Sequence, residues 1–202
     1  MNVTLRRVRP RTIAGLLVCS IVAVLLAGCL DVPLGNAEQS KVDEQYKGLW
    51  MCPGKSGDDD STLLAIIPFD SRTYIVTMLQ YRQTQTGVRL TSGYEKKMWL
   101  TRVGDATFAT LEDKSPQALL APDEHPYAVV RVTRKGDAVT TQGIDPKFVK
   151  DAKTPEALAT LIAANLDNEK LYCTNDVYEK MGPTRQQEVK DVFNAFGGGN
   201  GQ

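Results

Sequence analysis

Residues 48–143 carry a pattern of apolar and polar positions that predicts a series of β-strands. Residues 62–69 form a nearly unbroken apolar run, and residues 73–82 are rich in β-branched and aromatic side chains. Such runs, bounded by glycine, proline and aspartate, are typical of strands. The other strands predicted on the same grounds cover residues 48–52, 87–103, 106–111, 127–133 and 139–143.

Short turns connect these predicted strands. Gly104-Asp105 separates two of them, and Gly136-Asp137 lies between two others in a strong hairpin signal. Gly93 marks a bulge or a turn within residues 87–103, which form one bent strand or two shorter ones. Strands joined in this way predict an antiparallel meander of about six to eight strands that curls or closes to bury its edges. The fold class is therefore mainly β, as a barrel or a half-barrel.

The last third of the chain predicts one or two helices. Thr154 is a helix cap and Pro155 the first helical residue, and the apolar residues from Leu158 to Leu166 then fall on one stripe. We expect this helix to pack against the sheet. A second helix is predicted over residues 184–196, where it packs on the domain or contacts a partner. Residues 197–202 are mostly glycine and are expected to be disordered.

The N-terminus has the pattern of a secretory signal peptide. Four arginines lie among residues 6–11, and an uncharged apolar stretch of 15 residues follows, from Ile13 to Ala27. A membrane-spanning helix needs about 20 apolar residues. An uncleaved transmembrane anchor and an ordinary secreted protein are the alternatives, and the signal peptide, residues 1–28, is favoured.

The sequence Leu26-Ala27-Gly28-Cys29 resembles the lipobox of bacterial lipoproteins. The resemblance implies that Cys29 carries the lipid, that the mature chain begins there, and that the lipid anchors it to a membrane of the cell envelope. In enterobacterial lipoproteins an aspartate directly after the cysteine retains the protein in the inner membrane. That position is Leu30 here, so the resemblance favours the outer membrane, with the protein facing the periplasm. Residues 29–45 are polar and are expected to be a lipidated tether.

From Cys29 onward the chain has 174 residues, enough for one domain, which we place at residues 46–196. Without the four arginines of the leader, 20 basic residues stand against 24 acidic ones, a net charge of −4. No basic stripe remains, so nucleic acid is not an expected partner. Two cysteines remain for structure, Cys52 and Cys173. In an oxidising compartment such a pair often forms a disulfide, which we expect here; the alternative is two separate buried thiols.

The segment Tyr46-Lys47-Gly48-Leu49-Trp50 resembles the Y-x-G-x-W start of the first strand of lipocalins. The resemblance implies that Gly48 permits a close turn and that Trp50 plugs the base of the barrel. Asp123 and Tyr127 have the spacing of a second lipocalin motif, although Pro122 replaces its threonine. The order of elements is also similar to a group of uncharacterised proteobacterial lipoproteins with a lipocalin-like domain.

Motifs for catalysis or for cofactor binding are not apparent in the sequence. His125 is the one histidine, and neither a metal-ligand set nor a nucleophile motif accompanies it. The acidic turn Asp58-Asp59-Asp60 lacks the later glutamate of a calcium-binding loop. We therefore expect no enzyme activity, no metal and no cofactor.

Two hypotheses of function remain. The first is a membrane-anchored binding protein that holds a small apolar ligand, such as a lipid, in a cavity lined by residues such as Ile66, Val76, Met78, Trp99 and Phe108. The second is a structural or interaction lipoprotein that acts in an envelope assembly without a small ligand, its barrel filled by side chains.

Metabolic labelling with a radioactive or clickable fatty acid tests the lipobox. We expect the wild-type chain to be labelled and Cys29→Ala to be unlabelled, because the thiol of Cys29 is the acceptor. Label that survives the substitution would contradict the lipoprotein hypothesis.

Overall fold

The structure is a computed structural model, and it describes residues 29–54, 60–113 and 126–182 together with the helical residues 189, 190 and 194. The described part contains nine strands. They are β1 Cys29–Leu30, β2 Gly48–Cys52, β3 Ser61–Pro68, β4 Tyr74–Thr84, β5 Gly87–Val103, β6 Ala106–Asp113, β7 Tyr127–Lys135, β8 Ala138–Gly143 and β9 Asp176–Lys180.

Strands β2 to β9 form a closed antiparallel barrel of eight strands. Consecutive strands from β2 to β9 pair with one another, and β9 also pairs with β2. The fold-class prediction is therefore confirmed, and the barrel is closed rather than a half-barrel. Closure gives the strand edges a hydrogen-bonded neighbour, which an open sheet would leave exposed.

The long stretch 87–103 is one strand. Its pairing with β4 shifts by one residue between Gln80↔Ser92 and Tyr81↔Leu90. The extra residue is Thr91, so the bulge lies two positions before Gly93, where the sequence placed it. Because the side chains on the two sides of a bulge are out of phase with each other, Leu90, just before the bulge, packs with the outer residue Tyr81.

Two helices lie between β8 and β9: α1, Pro146–Val149, and α2, Pro155–Ala163. The predicted cap of α2 is confirmed, since the Thr154 Oγ1 accepts a hydrogen bond from the Ala157 N–H at 3.1 Å. Leu158 and Ile162 are buried with residues of β5, β6 and β7 in an apolar cluster on the outside of the barrel, here called the outer cluster. The helices therefore cover part of the outer face of the barrel.

Several predicted features lie wholly or mostly outside the described residues. They are the signal peptide 1–28, the second helix 184–196, the tail 197–202, Asp58, Asp59, Asp123 and His125. Of the second helix, Val189 packs against a small, separate apolar cluster on the outer face of β2, β3 and β4.

Residues 30–45 pack on the barrel, so the prediction of a polar tether with little to bury is wrong. Leu34 is completely buried in the outer cluster, and its carbonyl oxygen accepts hydrogen bonds from three side chains. The donors are Trp99 Nε1 at 3.1 Å, Thr101 Oγ1 at 3.1 Å and Thr110 Oγ1 at 3.0 Å.

The sequence pattern was misleading here because this segment buries only a few side chains. Leu30, Val32 and Leu34 alternate with Asp31 and Pro33, and all three belong to the outer cluster or pack against it. Further along, Asn36 and Asp43 cap two short 3₁₀ turns, Ala37–Gln39 and Glu44–Tyr46. Side-chain caps of this kind satisfy backbone groups and let a polar segment adopt one conformation.

We expect Leu34→Ala to lower the free energy of unfolding by about 2–5 kcal/mol, because it leaves a cavity beneath the segment. The matched control is Gln39→Ala, an exposed position in the same segment, which should change stability by no more than about 0.5 kcal/mol. Urea denaturation measures both. If neither substitution changed the free energy of unfolding, the segment would not be packed on the barrel.

Candidate functional site

The inside of the barrel contains a cavity of about 70 Å³. Its walls come from every strand of the barrel, and most of its side chains carry neither nitrogen nor oxygen. The lining residues are Tyr46, Trp50, Leu64, Ile66, Val76, Met78, Met98, Leu100, Ala109, Leu111, Val130, Val132, Val139, Thr141 and Tyr178. The cavity is therefore suited to apolar groups.

One end of the cavity is formed by the residues that begin β2, and we call it the closed end. Gly48 has φ of +127°, a conformation that favours glycine, and the chain turns there into the barrel wall. Trp50 is 1% exposed, and its Nε1 donates a hydrogen bond to the Tyr46 carbonyl at 2.8 Å. The Lys180 ammonium lies 5.5 Å from the centre of the Trp50 ring. Trp50 thus lies inside the barrel, where it contacts both the segment before β2 and the end of β9.

The segment before β2 crosses the closed end. The Val42 N–H bonds the Ser71 carbonyl at 3.1 Å, and the Tyr74 hydroxyl donates to the Asp43 carbonyl at 3.0 Å. Tyr46 is buried among the residues that line the cavity, and Val42 packs against the same group. Access to the cavity is therefore obstructed at this end.

The phenols in the cavity wall are neutral groups at physiological pH. Burial raises the pKa of Tyr178, and nearby Asp176 adds to the effect. Burial also raises the pKa of Tyr46 above its ordinary value of 10.0, with a further contribution from Asp43. The wall therefore presents no charge to a bound group.

The opposite end, where β6 ends and β7 begins, is here called the rim. Lys96 and Asp113 form an ion pair there, with Lys96 Nζ 2.8 Å from Asp113 Oδ2. Their side chains are only 22% and 28% exposed. Lys96 pairs directly with Val76 of the cavity wall, and directly paired residues lie on the same face of a sheet. The ion pair therefore borders the cavity.

A second ion pair continues this face along β4. Arg82 Nε lies 3.0 Å from Asp60 Oδ1, and the other Asp60 oxygen accepts from Thr91 Oγ1 at 2.8 Å. Arg82 is directly opposite Arg89 in the pairing of β4 with β5. Two like charges in such positions repel, so this part of the face favours an anion.

The volume of the cavity limits what it can hold. An engineered apolar cavity of about 150 Å³ binds benzene, and pockets for drug-sized ligands measure about 300–1,000 Å³. At about 70 Å³ this cavity accepts a thin apolar group without rearrangement. Met78 and Met98 are in its wall, and methionine side chains are flexible enough to repack around a larger group.

The structure brings three of the five predicted lining residues to the cavity: Ile66, Val76 and Met78. Trp99 and Phe108 were wrongly assigned. Trp99 follows the cavity residue Met98 in β5 and so lies on the other face, and Phe108 is buried in the outer cluster. Both side chains are large and apolar because helices and the N-terminal segment cover this part of the outer face.

Cys29 lies in β1, which pairs with β7 near the rim. Its register partner is Ala128, the second residue of β7. The neighbouring residue Asp31 forms an ion pair with Lys153 at 3.2 Å, which joins this segment to the turn before α2. The proposed lipidation site is therefore held close to the barrel wall.

Cys52 and Cys173 are not joined by a disulfide, so that prediction is wrong. Cys52 ends β2 and packs against the interior, whereas Cys173 precedes β9 and is exposed. Strand β2 pairs with β9 at Met51↔Glu179, so Cys52 lies opposite Tyr178, five residues beyond Cys173. Five residues of extended chain span about 17 Å, and a disulfide requires Cα atoms within about 7 Å. The unforeseen strand β9 separates the two cysteines.

Within the described ranges, no group of three or more histidine, cysteine, aspartate or glutamate side chains could hold a metal ion. Asp60, the described member of the acidic turn, binds Arg82 and Thr91 instead.

Sequence reasoning missed Lys96 and Asp113. A signal was present, because Lys96 shares its face with Met98 and Leu100 at every second position of β5. A charged residue in such a series marks the point where a strand leaves an apolar interior.

Comparison with protein-family models, with curated proteins and with solved structures finds no match to this chain. The helices in the described part of the chain are too short or too polar to cross a membrane. The fold and the cavity are therefore the basis for reasoning about function.

Thermal unfolding should have the same midpoint, within about 1 °C, with and without a reducing agent. A bond that closed the loop between Cys52 and Cys173 would contribute about 4–5 kcal/mol, and its reduction would lower the midpoint by many degrees. Calorimetry measures the midpoint, with Cys173→Ser as the control. If reduction lowered the unfolding midpoint of the wild type but not that of Cys173→Ser, the result would indicate a disulfide between Cys52 and Cys173.

Proposed function

We propose that this chain is a lipid-anchored protein of the bacterial cell envelope whose barrel binds a small apolar ligand, such as the end of a single lipid chain. The observation that carries the proposal is the apolar cavity inside the closed barrel, formed by residues from all eight strands. Transfer of apolar groups from water into such a cavity is favourable in proportion to the area removed from water.

The shape of the cavity supports a narrow ligand. Tyr46 and Trp50 obstruct the closed end, so a ligand extends toward the rim, where the polar residues begin. A chain of methylene groups fits a narrow space better than a ring system does. Met78 and Met98 allow the cavity to lengthen around such a chain.

The proposed location in the cell envelope depends on the resemblance of residues 26–29 to a lipobox. Lipid on Cys29 anchors the chain without a spanning helix, since two or three acyl chains bind a bilayer firmly where one binds marginally. Leu30 after the cysteine favours the outer membrane, facing the periplasm. The net charge of −4 from Cys29 onward disfavours nucleic acid as a partner. We assign no catalytic role and no cofactor.

A structural or interaction role in an envelope assembly is the second candidate. One observation favours it: a cavity of about 70 Å³ is small, so side chains fill most of the barrel. In that role an outer surface would meet a partner, and residues 184–202 are the first segment to delete. Loss of a stoichiometric envelope partner on this deletion, together with no ligand binding, would favour the second candidate.

Two neighbouring isoleucines of β3 test the first candidate. Ile66 lines the cavity, and Ile67 is 58% exposed on the outer face. We expect Ile66→Phe to weaken binding of a fluorescent fatty acid at least about tenfold, because the added ring occupies the cavity. Ile67→Phe should bind like the wild type. Fluorescence titration measures both affinities.

Circular dichroism checks that both isoleucine variants are folded. Equal affinities of Ile66→Phe, Ile67→Phe and wild type would place the fatty acid outside the barrel. The absence of binding to the wild-type protein would end the ligand-binding proposal.

A further inference from the structure

The polar border of the cavity assigns a chemical class to the ligand. Resting on the proposed function, we propose that Lys96 binds the anionic head group of a single-chain amphiphile, with a carboxylate as its simplest form, while the chain lies in the cavity. The ligand class is therefore a fatty acid rather than a neutral lipid of the same length.

The position of Lys96 supports this inference. It pairs with Val76 and lies two residues before Met98, and both of these residues line the cavity. Asp113 lies two residues after Leu111, another lining residue. The Lys96 ammonium thus lies where the apolar wall ends, two residues along β5 from the lining residue Met98. An amphiphile needs its charged atom at this boundary.

The Lys96 ammonium has donors to spare. A lysine carries three N–H donors, and among the described residues Asp113 is the acceptor that Lys96 Nζ contacts. A ligand carboxylate can share the ammonium with Asp113 without breaking the existing bond. Because the pair is mostly shielded from water, a further charge-assisted hydrogen bond there is stronger than one at an exposed site.

The charge along this face has the sign that an anion requires. Around the strands β3 to β6, the described side chains of this face include three cations, Arg82, Arg89 and Lys96, and two carboxylates, Asp60 and Asp113. The carboxylate of Asp176 lies on the β8–β9 side of the barrel, opposite the lining residue Thr141. Arg89 also faces Arg82 directly across the strand pair. An arriving anion is attracted along this face, whereas a cationic amphiphile is not.

The experiment compares two fluorescent probes with the same polyene chain, a fatty acid and the matching fatty alcohol, at neutral pH. We expect the purified protein to bind the acid about tenfold more tightly than the alcohol, as one charge-assisted hydrogen bond provides. Lys96→Met should remove this preference and leave the affinity for the alcohol unchanged. Lys96→Arg should retain the preference.

Lys97→Met is the matched control. Lys97 is the next residue of β5, opposite Ile75 rather than Val76, and so lies on the other face. We expect it to keep the preference for the acid. The comparison of the two probes on the wild-type protein needs no variant, so equal binding of acid and alcohol overturns the inference even where Lys96→Met fails to fold.

The outcomes separate this inference from the proposed function. Equal binding of acid and alcohol by the wild type overturns the role of Lys96 and leaves the apolar site standing. A parallel loss of both probes in Lys96→Met also overturns it, because Lys96 then supports the wall and does not recognise the head group. Binding of neither probe overturns the proposed function, and this inference with it.

Discussion

The pairing of β9 with both β2 and β8 is the constraint on which the rest of the structure depends. Five residues, Asp176–Lys180, close the gap between the first and last strands of the meander. Without them β2 and β8 would each present an unpaired edge, and the interior would open to water. Tyr178, the middle residue of β9, also fills the interior. Closure and packing thus come from the same short strand.

The main strands could be predicted from the sequence because their patterns are local. Strand β5 has the predicted bounds, Gly87–Val103, and the turn at Gly136 lies where the hairpin signal placed it. β9 could not be predicted, because Asp176–Lys180 is mostly charged and only Tyr178 of its five residues is buried. The strand forms because it is hydrogen-bonded to β2 and β8, and its own sequence has no strand pattern.

The candidate site was predictable in part for the same reason. The apolar runs of β3 and β4 indicated Ile66, Val76 and Met78, and these residues line the cavity. An apolar run does not say which face of a strand is inside, and so Trp99 and Phe108 were placed on the wrong one. Which face is inside depends on the helices and the N-terminal segment that cover β5 and β6, and those contacts span long stretches of the chain.

Two environments meet at the rim. Behind it, the wall is apolar and its phenols are neutral, since burial raises the pKa values of Tyr46 and Tyr178 further above their ordinary value of 10.0. In front of it, ion pairs begin with Lys96 and Asp113. The transition takes place within one strand repeat. Such an abrupt border orients any molecule that has one polar end.

The fixed position of residues 30–45 has a mechanical consequence for a chain anchored through Cys29. The segment between Cys29 and the barrel is fixed in place, because β1 is hydrogen-bonded to β7 and the Leu34 carbonyl accepts three hydrogen bonds. An acylated Cys29 would therefore hold the domain directly against the surface of the bilayer, without a flexible linker between them. Because β1 lies near the rim, this arrangement would place the rim next to the bilayer. A lipid could then move from the leaflet into the barrel without crossing the aqueous phase.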